Sequence, residues 1–271
     1  RRGEAVDALD LAIIGMGKCG ARELNYISDV DVVYVVAPVE PATAGAAPHA
    51  GAEGESTPLK LTENECSTIG TELVHALTRA IMGPAPEPAL WEVDANLRPE
   101  GKDGPLVRTV ESYVQYYKRW AENWEFQALL KARPIAGSAQ LGARYARAID
   151  PFVWESAARE SFVESVQAMR ARVTDNIPSN QVDRQIKLGP GGLRDIEFTV
   201  QLLQLVHGRT DPAVRTKSTV DSLAALTAVS YISRTDAEAF SRDYKKLRVL
   251  EHRIQLQQLR RTHLMPEKEA E

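Results

Sequence analysis

The sequence predicts an α/β (α+β) part over residues 1–135 followed by an all-helical part over residues 136–271. Short β-branched runs punctuated by glycine and proline fill the first half, at Leu11–Ile14, Ser28–Val36 and Leu90–Leu97. Segments with helical spacing alternate with them. Beyond Arg133-Pro134 the strand signals fade and the helical segments lengthen. At 271 residues and 44% hydrophobic, the chain can bury a large core, as one big domain or two modest ones.

The first strand, Leu11-Ala12-Ile13-Ile14, is broken by the glycines of Gly15-Met16-Gly17-Lys18-Cys19-Gly20, and a segment of helical composition follows. The second strand opens with Ser28-Asp29-Val30-Asp31. Side chains two apart on a strand share a face, so Asp29 and Asp31 project together. Two such carboxylates repel and are awkward to bury, and a divalent cation resolves both problems. Mg²⁺ in phosphoryl transfer is held by one or two carboxylates plus substrate phosphates. The turn at Gly15 and Gly17 can present N–H groups to those phosphates. Lys18 either approaches a phosphate or is a surface lysine, and Ser28 either bonds a phosphate oxygen or caps a turn. Two competing readings exist. Gly15-x-Gly17-x-x-Gly20 after a strand matches the dinucleotide-binding fingerprint, but its acid belongs about 20 residues on, at the end of the next strand. Here the acids come sooner, at the strand's start. The plainer alternative is a strand start capped by solvated aspartates.

Residues 37–58 are rich in Pro, Ala and Gly without periodicity, which predicts a solvated, mobile loop. Thr62-Glu63-Asn64-Glu65 reads as a capping box and Ile69, Leu73, Ala76, Leu77 and Ala80 as one apolar face, giving a helix over 63–82 stopped by Gly83-Pro84-Ala85-Pro86. Leu90–Leu97 is a third strand carrying Asp94, with Glu92 on the same face. In the charged turn that follows, Arg98 either neutralises developing charge or pairs with Asp103. A helix over 110–131 places Tyr113, Tyr117, Trp120, Trp124 and Ala128 on one face, read as core rather than as a base-stacking surface.

In the second half, Phe162, Val166, Met169 and Val173 mark a helix ending near Ile177-Pro178, and residues 218–231 and 236–262 supply two more. Between them a helix opens at Gly189-Pro190-Gly191-Gly192 and runs to His207-Gly208. At 100° per residue, Arg194, Glu197, Gln201 and Gln204 form a narrow polar stripe on an otherwise apolar helix. Such a stripe needs partners or a wet cleft. Gly191 and Gly192 at the helix N-terminus, with Arg194, suggest an anion site; satisfaction by neighbouring helices is the alternative. Lys245, Lys246, Arg248, Arg253, Arg260 and Arg261 read mainly as a solvated face, docking to an acidic surface being the other reading.

A net charge of −4 argues against a nucleic-acid or anionic-membrane binder. The two cysteines match no metal spacing, and their scarcity suits a reducing cytoplasm. No apolar run approaches the roughly 20 residues of a membrane span, and nothing resembles a signal peptide. The start at Arg1, almost directly on a strand, suggests a piece of a longer chain.

Residues 11–36 contain Gly-x-Gly-Lys-x-Gly-x-x-Glu-Leu-Asn-Tyr-x-Ser-Asp-x-Asp, a long and specific pattern that resembles the nucleotidyltransferase domain of the bacterial glutamine-synthetase adenylyltransferase family. Val93-Asp94 with Leu97-Arg98-Pro99, Trp124 to Arg133, and Lys187 to Phe198 resemble the same family, so the likeness covers nearly the whole chain. The resemblance implies a nucleotidyltransferase palm with a mixed sheet (1–135) and an all-α helical-bundle domain (136–271). It implies a metal cradle of Asp29, Asp31 and Asp94 for Mg²⁺, or Mn²⁺ in its place, and nucleotide or phosphate binding by Gly15, Gly17, Lys18, Ser28, Arg98, Gly191, Gly192, Arg194 and Glu197.

Enzymes of that family carry two similar halves: one attaches AMP to a tyrosine of glutamine synthetase, and the other removes it by phosphorolysis, giving ADP. Asn25 in Glu23-Leu24-Asn25-Tyr26, and Arg194 after Gly-Gly-Leu, resemble the N-terminal, removing half. An additional arginine suits a site that holds inorganic phosphate as nucleophile. The partners implied are adenylylated glutamine synthetase, phosphate, ADP and ATP, the rest of a bifunctional chain and a PII-type regulator. The same fold running AMP transfer from ATP, and a non-catalytic binding module, are the alternatives.

Overall fold

The computed structural model describes residues 6–39, 61–87, 89 and 91–267. From residue 40 onward, the loop predicted over 37–58 lies outside the described residues.

Two strands form the spine. β1 (Leu9–Gly15) pairs antiparallel with β2 (Asp29–Pro38), from Leu9↔Pro38 to Gly15↔Val32. The outer edge of β2 carries β3 (Glu92–Asp94) and β4 (Val107–Thr109), both parallel to it. On the other edge of β1 lies β5 (Arg133–Gly137), antiparallel. The sheet is therefore mixed, as expected. The sequence reading passes over β5 because it contains Pro134; as an edge strand paired only with β1, it tolerates the missing donor. The division expected after residue 135 falls inside this strand.

Residues Val32 to Val36 are buried without alternation, since both sheet faces are covered. Val32, Tyr34 and Val36 face α2 (Glu63–Met82), packing with Cys66, Val74 and Val107. Thr62 and Glu65 close the expected capping box on α2, Thr62 N–H donating to Glu65 Oε2 at 2.8 Å. Val33 and Val35 face the opposite way, onto Tyr113, Tyr117, Leu141, Tyr145 and Ile149. Asp29 and Asp31 share that parity, so β2 itself aims them toward the side where most of the helices lie.

The helix expected over 110–131 is two helices, α3 (Val110–Arg119) and α4 (Asn123–Leu129). Glu122 caps α4, its own N–H donating to Glu125 Oε1 at 2.9 Å, and this box starts a new helix axis. Tyr113 and Tyr117 are core as predicted, whereas Trp120, beyond the break, is 73% exposed. α5 (Ala139–Glu155), which the sequence reading omits, packs on the sheet and α3. α6 (Phe162–Asp175), α7 (Leu193–Gly208), α8 (Thr219–Ala228) and α9 (Arg234–Gln258) complete the helical part. α7 joins two cores: Phe198 and Leu205 belong to the cluster reaching Ala12 and Ile14, while Leu193, Ile196 and Val200 pack with Leu223, Leu226 and Tyr244. After α9 the chain turns back through Leu259 (φ 46°) and is tied across the α6–α7 connection by Ile186 N–H to His263 O (3.0 Å) and Met265 N–H to Arg184 O (2.9 Å). No helix among the described residues is long and apolar enough to cross a membrane.

Candidate metal and phosphate site

The parallel register Asp29↔Glu92, Val30↔Val93, Asp31↔Asp94 sets the third acid directly beside the second. One carboxylate oxygen from each of Asp29, Asp31 and Asp94 lies within 4.8 Å of the others. An all-oxygen set of three carboxylates fits a hard divalent cation such as Mg²⁺ or Mn²⁺. Burial and the charges of Asp29 and Asp94 push the Asp31 carboxyl up to about 6, so the cluster carries more negative charge than its surroundings balance. Asp94 Oδ1 accepts from Asn96 N–H at 2.7 Å, and Ser28 Oγ donates to the Asp29 carbonyl at 2.9 Å.

The glycine turn is the short helix α1 (Gly17–Gly20), and Met16 N–H donates to Asp31 O at 2.8 Å. Gly17 has φ +48°, a left-handed conformation suited to glycine. Gly15 is packed against Ile135 and Cys19 outside the cleft.

A cavity of about 340 Å³, within the range of small-ligand sites, separates the acids from the helical part. Gly17, Lys18, Ser28, Asp29 and Asp31 line one side; Lys187, Arg194, Glu197 and Gln201 line the other. The polar stripe of α7 therefore divides. Its first three members face the cleft, while Gln204 is buried and donates to the carbonyls of Val214 and Thr216 at 2.8 Å each. Burial pushes the Glu197 carboxyl up, but Lys131, Arg194, Lys18 and Lys187 together hold it below its usual range. Burial, with Arg194 nearby, lowers the Lys187 ammonium. Arg194 lies over the Phe198 ring, 5.3 Å to the centroid, and its buried Nε meets no acceptor among the described residues.

Several expectations are altered. The N-terminus of α7 has no free N–H groups to offer an anion: Gly191 N–H donates to Asp195 Oδ2 (2.7 Å), Gly192 N–H to Gly189 O, Leu193 N–H to Ile186 O and Arg194 N–H to Lys187 O. Neither Gly191 nor Gly192 lines the cleft, and only the Arg194 side chain reaches it. Arg98 makes neither expected contact. Its guanidinium donates to the carbonyls of Gly104, Ala95 and Lys102 and so ties the turn after β3.

The basic last helix is not simply a solvated face. Arg248 pairs with Glu251 inside the protein, and Arg261, past the end of a helix that stops at Gln258 rather than 262, has Nη1 2.7 Å from Asp29 Oδ2 and Nη2 3.2 Å from Glu92. Trp124, expected in the core, stands at the cleft rim. Residues that sequence reasoning left out of the site are Glu23, Lys131, Lys187, Glu251 and His263. Lys131 Nζ reaches Glu23 at 2.9 Å, and Glu23 also accepts from Thr219 N–H at 2.7 Å. Glu23, Lys131 and Lys187 lie within the quoted motifs; Glu251 and His263 carry no local signal.

Residues 2–148 match the family model described as glutamate-ammonia ligase adenylyltransferase, and residues 164–271 match one described as GlnD PII-uridylyltransferase. The chain is 59% identical over 266 residues to the bifunctional glutamine synthetase adenylyltransferase/adenylyl-removing enzyme of Leifsonia xyli subsp. xyli, covering 98% of this chain and 25% of that protein. It is 54% identical over 261 residues to the protein of that description from Streptomyces coelicolor, covering 96% and 24%. Identity to its Mycobacterium tuberculosis counterpart is 51% over 261 residues, covering 96% and 23%. The chain thus spans about a quarter of the length of these curated relatives.

Proposed function

Because the chain belongs to the glutamate-ammonia ligase adenylyltransferase family, we propose that it removes AMP from an adenylylated tyrosine of glutamine synthetase by phosphorolysis, releasing ADP and so regulating nitrogen assimilation. An oxygen of inorganic phosphate forms the new bond to the adenylyl phosphorus, and the bond from that phosphorus to the tyrosine oxygen breaks. A divalent cation, Mg²⁺ or Mn²⁺, would be held by Asp29, Asp31 and Asp94 and would polarise the phosphoryl oxygens. Catalysis rests on positioning and charge rather than on a protein nucleophile.

The observation that carries the direction is Arg194. It faces the acids across the cleft, with an Nε that meets no acceptor among the described residues and Lys187 beside it. A fixed guanidinium of this kind suits the attacking phosphate, which attachment of AMP from ATP would not require. Asn25, the other residue resembling the removing half, lines the cleft with its Oδ1 3.2 Å from His252 Nε2. Lys18 and Ser28 contact phosphate oxygens from the glycine-turn side. The wider partners proposed are the remainder of a bifunctional chain and a PII-type regulator.

The test incubates the protein with adenylylated glutamine synthetase, Mg²⁺ and phosphate and measures ADP, with ATP and unmodified synthetase as a parallel assay. ADP release dependent on phosphate supports removal. ATP-dependent modification of the synthetase would assign the attaching direction instead.

A further inference from the structure

Glu251 lies on α9, 233 residues along the chain from Lys18, and its side chain has no solvent exposure. A carboxylate so buried persists only where compensating charge surrounds it. Three groups from three segments surround it, and two of them, Lys18 and Arg248, supply that charge. Lys18 Nζ, from the glycine turn, donates to both oxygens, at 2.8 and 3.0 Å. His263 Nδ1, from the segment after α9, lies at 2.9 Å. Arg248, one turn back on α9, pairs with Oε2 and donates as well to the backbone carbonyl of Glu23, at the end of the glycine turn.

Lys18 and His263 line the cleft, whereas Glu251 stands behind them and does not. A lysine carries four rotatable bonds and about 2 kcal/mol of rotamer entropy, so a free ammonium at this position would be poorly aimed. The double contact to Glu251 removes that freedom. Burial lowers the Lys18 ammonium to about 8, and the Glu251 charge opposes the fall. We infer that Glu251 is a positioning residue that holds the Lys18 ammonium facing the phosphates of a bound nucleotide, an inference resting on the reading of this cleft as a nucleotide-phosphate site. Glu251 thereby makes α9 and the glycine turn parts of one device: the helical part aims the turn's cation.

The alternative is a clasp that merely holds α9 in place, and a double-mutant cycle separates the two. ADP binding in the presence of Mg²⁺ is measured by calorimetry for wild type, Lys18→Met, Glu251→Gln and the double variant. Loss of one charged hydrogen bond predicts about tenfold weaker ADP binding for each single variant. Because Glu251 acts through Lys18, the double variant binds no more weakly than Lys18→Met alone. Effects that multiply, or an unchanged Kd for Glu251→Gln, overturn the inference. Should Glu251→Gln fail to fold, Glu251→Asp keeps the charge but draws it back by one methylene. It is expected to weaken ADP binding while the melting temperature holds, and an unchanged Kd counts against the role. A wild type that does not bind ADP at all overturns the phosphate-site reading itself; binding with an additive cycle overturns only the role of Glu251.

Discussion

A Cβ placed on Gly17 would lie 2.6 Å from Oδ2 of Asp31. The glycine turn and the carboxylate thus interlock, and the absent side chain leaves Asp31 its place against the turn. Gly17→Ala adds this clash to a φ of +48°, a conformation that costs a residue with a side chain about 1–2 kcal/mol. The expected outcome is a fall of several degrees in melting temperature and a loss of turnover beyond tenfold, since Asp31 must rotate away. Scanning fluorimetry and ADP release check the two effects separately.

Asp31 is predicted to trade stability for function. Its carboxyl sits at about 6 because of burial first and then the charges of Asp29 and Asp94, against an ordinary value of 3.8. The metal-free folded state therefore binds this proton more tightly than the unfolded chain does. Its ionisation opposes folding above pH 6, and that opposition fades as pH falls toward 4. Asp31→Asn should raise the melting temperature at pH 7 in EDTA by about 2–4 °C while abolishing turnover. In wild type, Mn²⁺ affinity should drop as pH falls through 6, where the proton displaces the ion. Titration of Mn²⁺ at pH 5.5 and 7.5 reads this directly.

Arg261 already places a cation against Asp29, at 2.7 Å. A metal ion binding there must displace or share that contact. The guanidinium is half-exposed, so the ion pair contributes at most about 1 kcal/mol. Arg261→Ala is therefore expected to tighten Mn²⁺ binding by roughly two- to fivefold. Arg260→Ala, which removes a neighbouring charge that bonds Gln258 rather than Asp29, serves as the control and should change little. Equal effects from the two variants would mean that only long-range charge is felt.

Arg194→Ala should raise the KM for phosphate about tenfold or more while leaving Mn²⁺ affinity largely intact, because the acids stand on β2 and β3 and the arginine on α7. Phosphate dependence of ADP release tests it; an unchanged KM removes Arg194 from the anion site.

Strands β1 to β3 and the paired acids of β2 were legible because they rest on local rules, whereas the Pro-containing edge strand β5 was not. Period-two alternation alone puts Asp29 and Asp31 on one face, whereas Asp94 was marked only by the resemblance of its Leu97-Arg98-Pro99 context to the family. Capping chemistry likewise located the start of α2. The break between α3 and α4 also has a local signal, Glu122 and Glu125 at box spacing, hidden by an aromatic pattern that continues across it. Glu251 and His263 were not legible. A single glutamate and a single histidine acquire meaning only from Lys18, more than 200 residues away. Arg248 and Arg261 were misread for a related reason: the segment is rich in exposed charges, and only tertiary packing sets Arg248 against Glu251 and Arg261, beyond the end of α9, against Asp29. The free helix N-terminus expected at Gly191-Gly192 failed because the preceding turn folds back and satisfies its own N–H groups.

The distance along the chain between Lys18 and its carboxylate has a consequence for biosynthesis. A ribosome that has delivered residues 1–135 has made all three acids, the glycine turn and four complete strands, but neither Arg194 nor Glu251. Contacts of such long sequence separation form late, after the loops between them have been closed. A nascent chain thus passes through a stage in which negative charge has gathered on β2 and β3 and the helices that answer it do not yet exist. Until α7 and α9 emerge and dock, this region carries its three acids with no Arg194 across the cleft and no Glu251 behind Lys18.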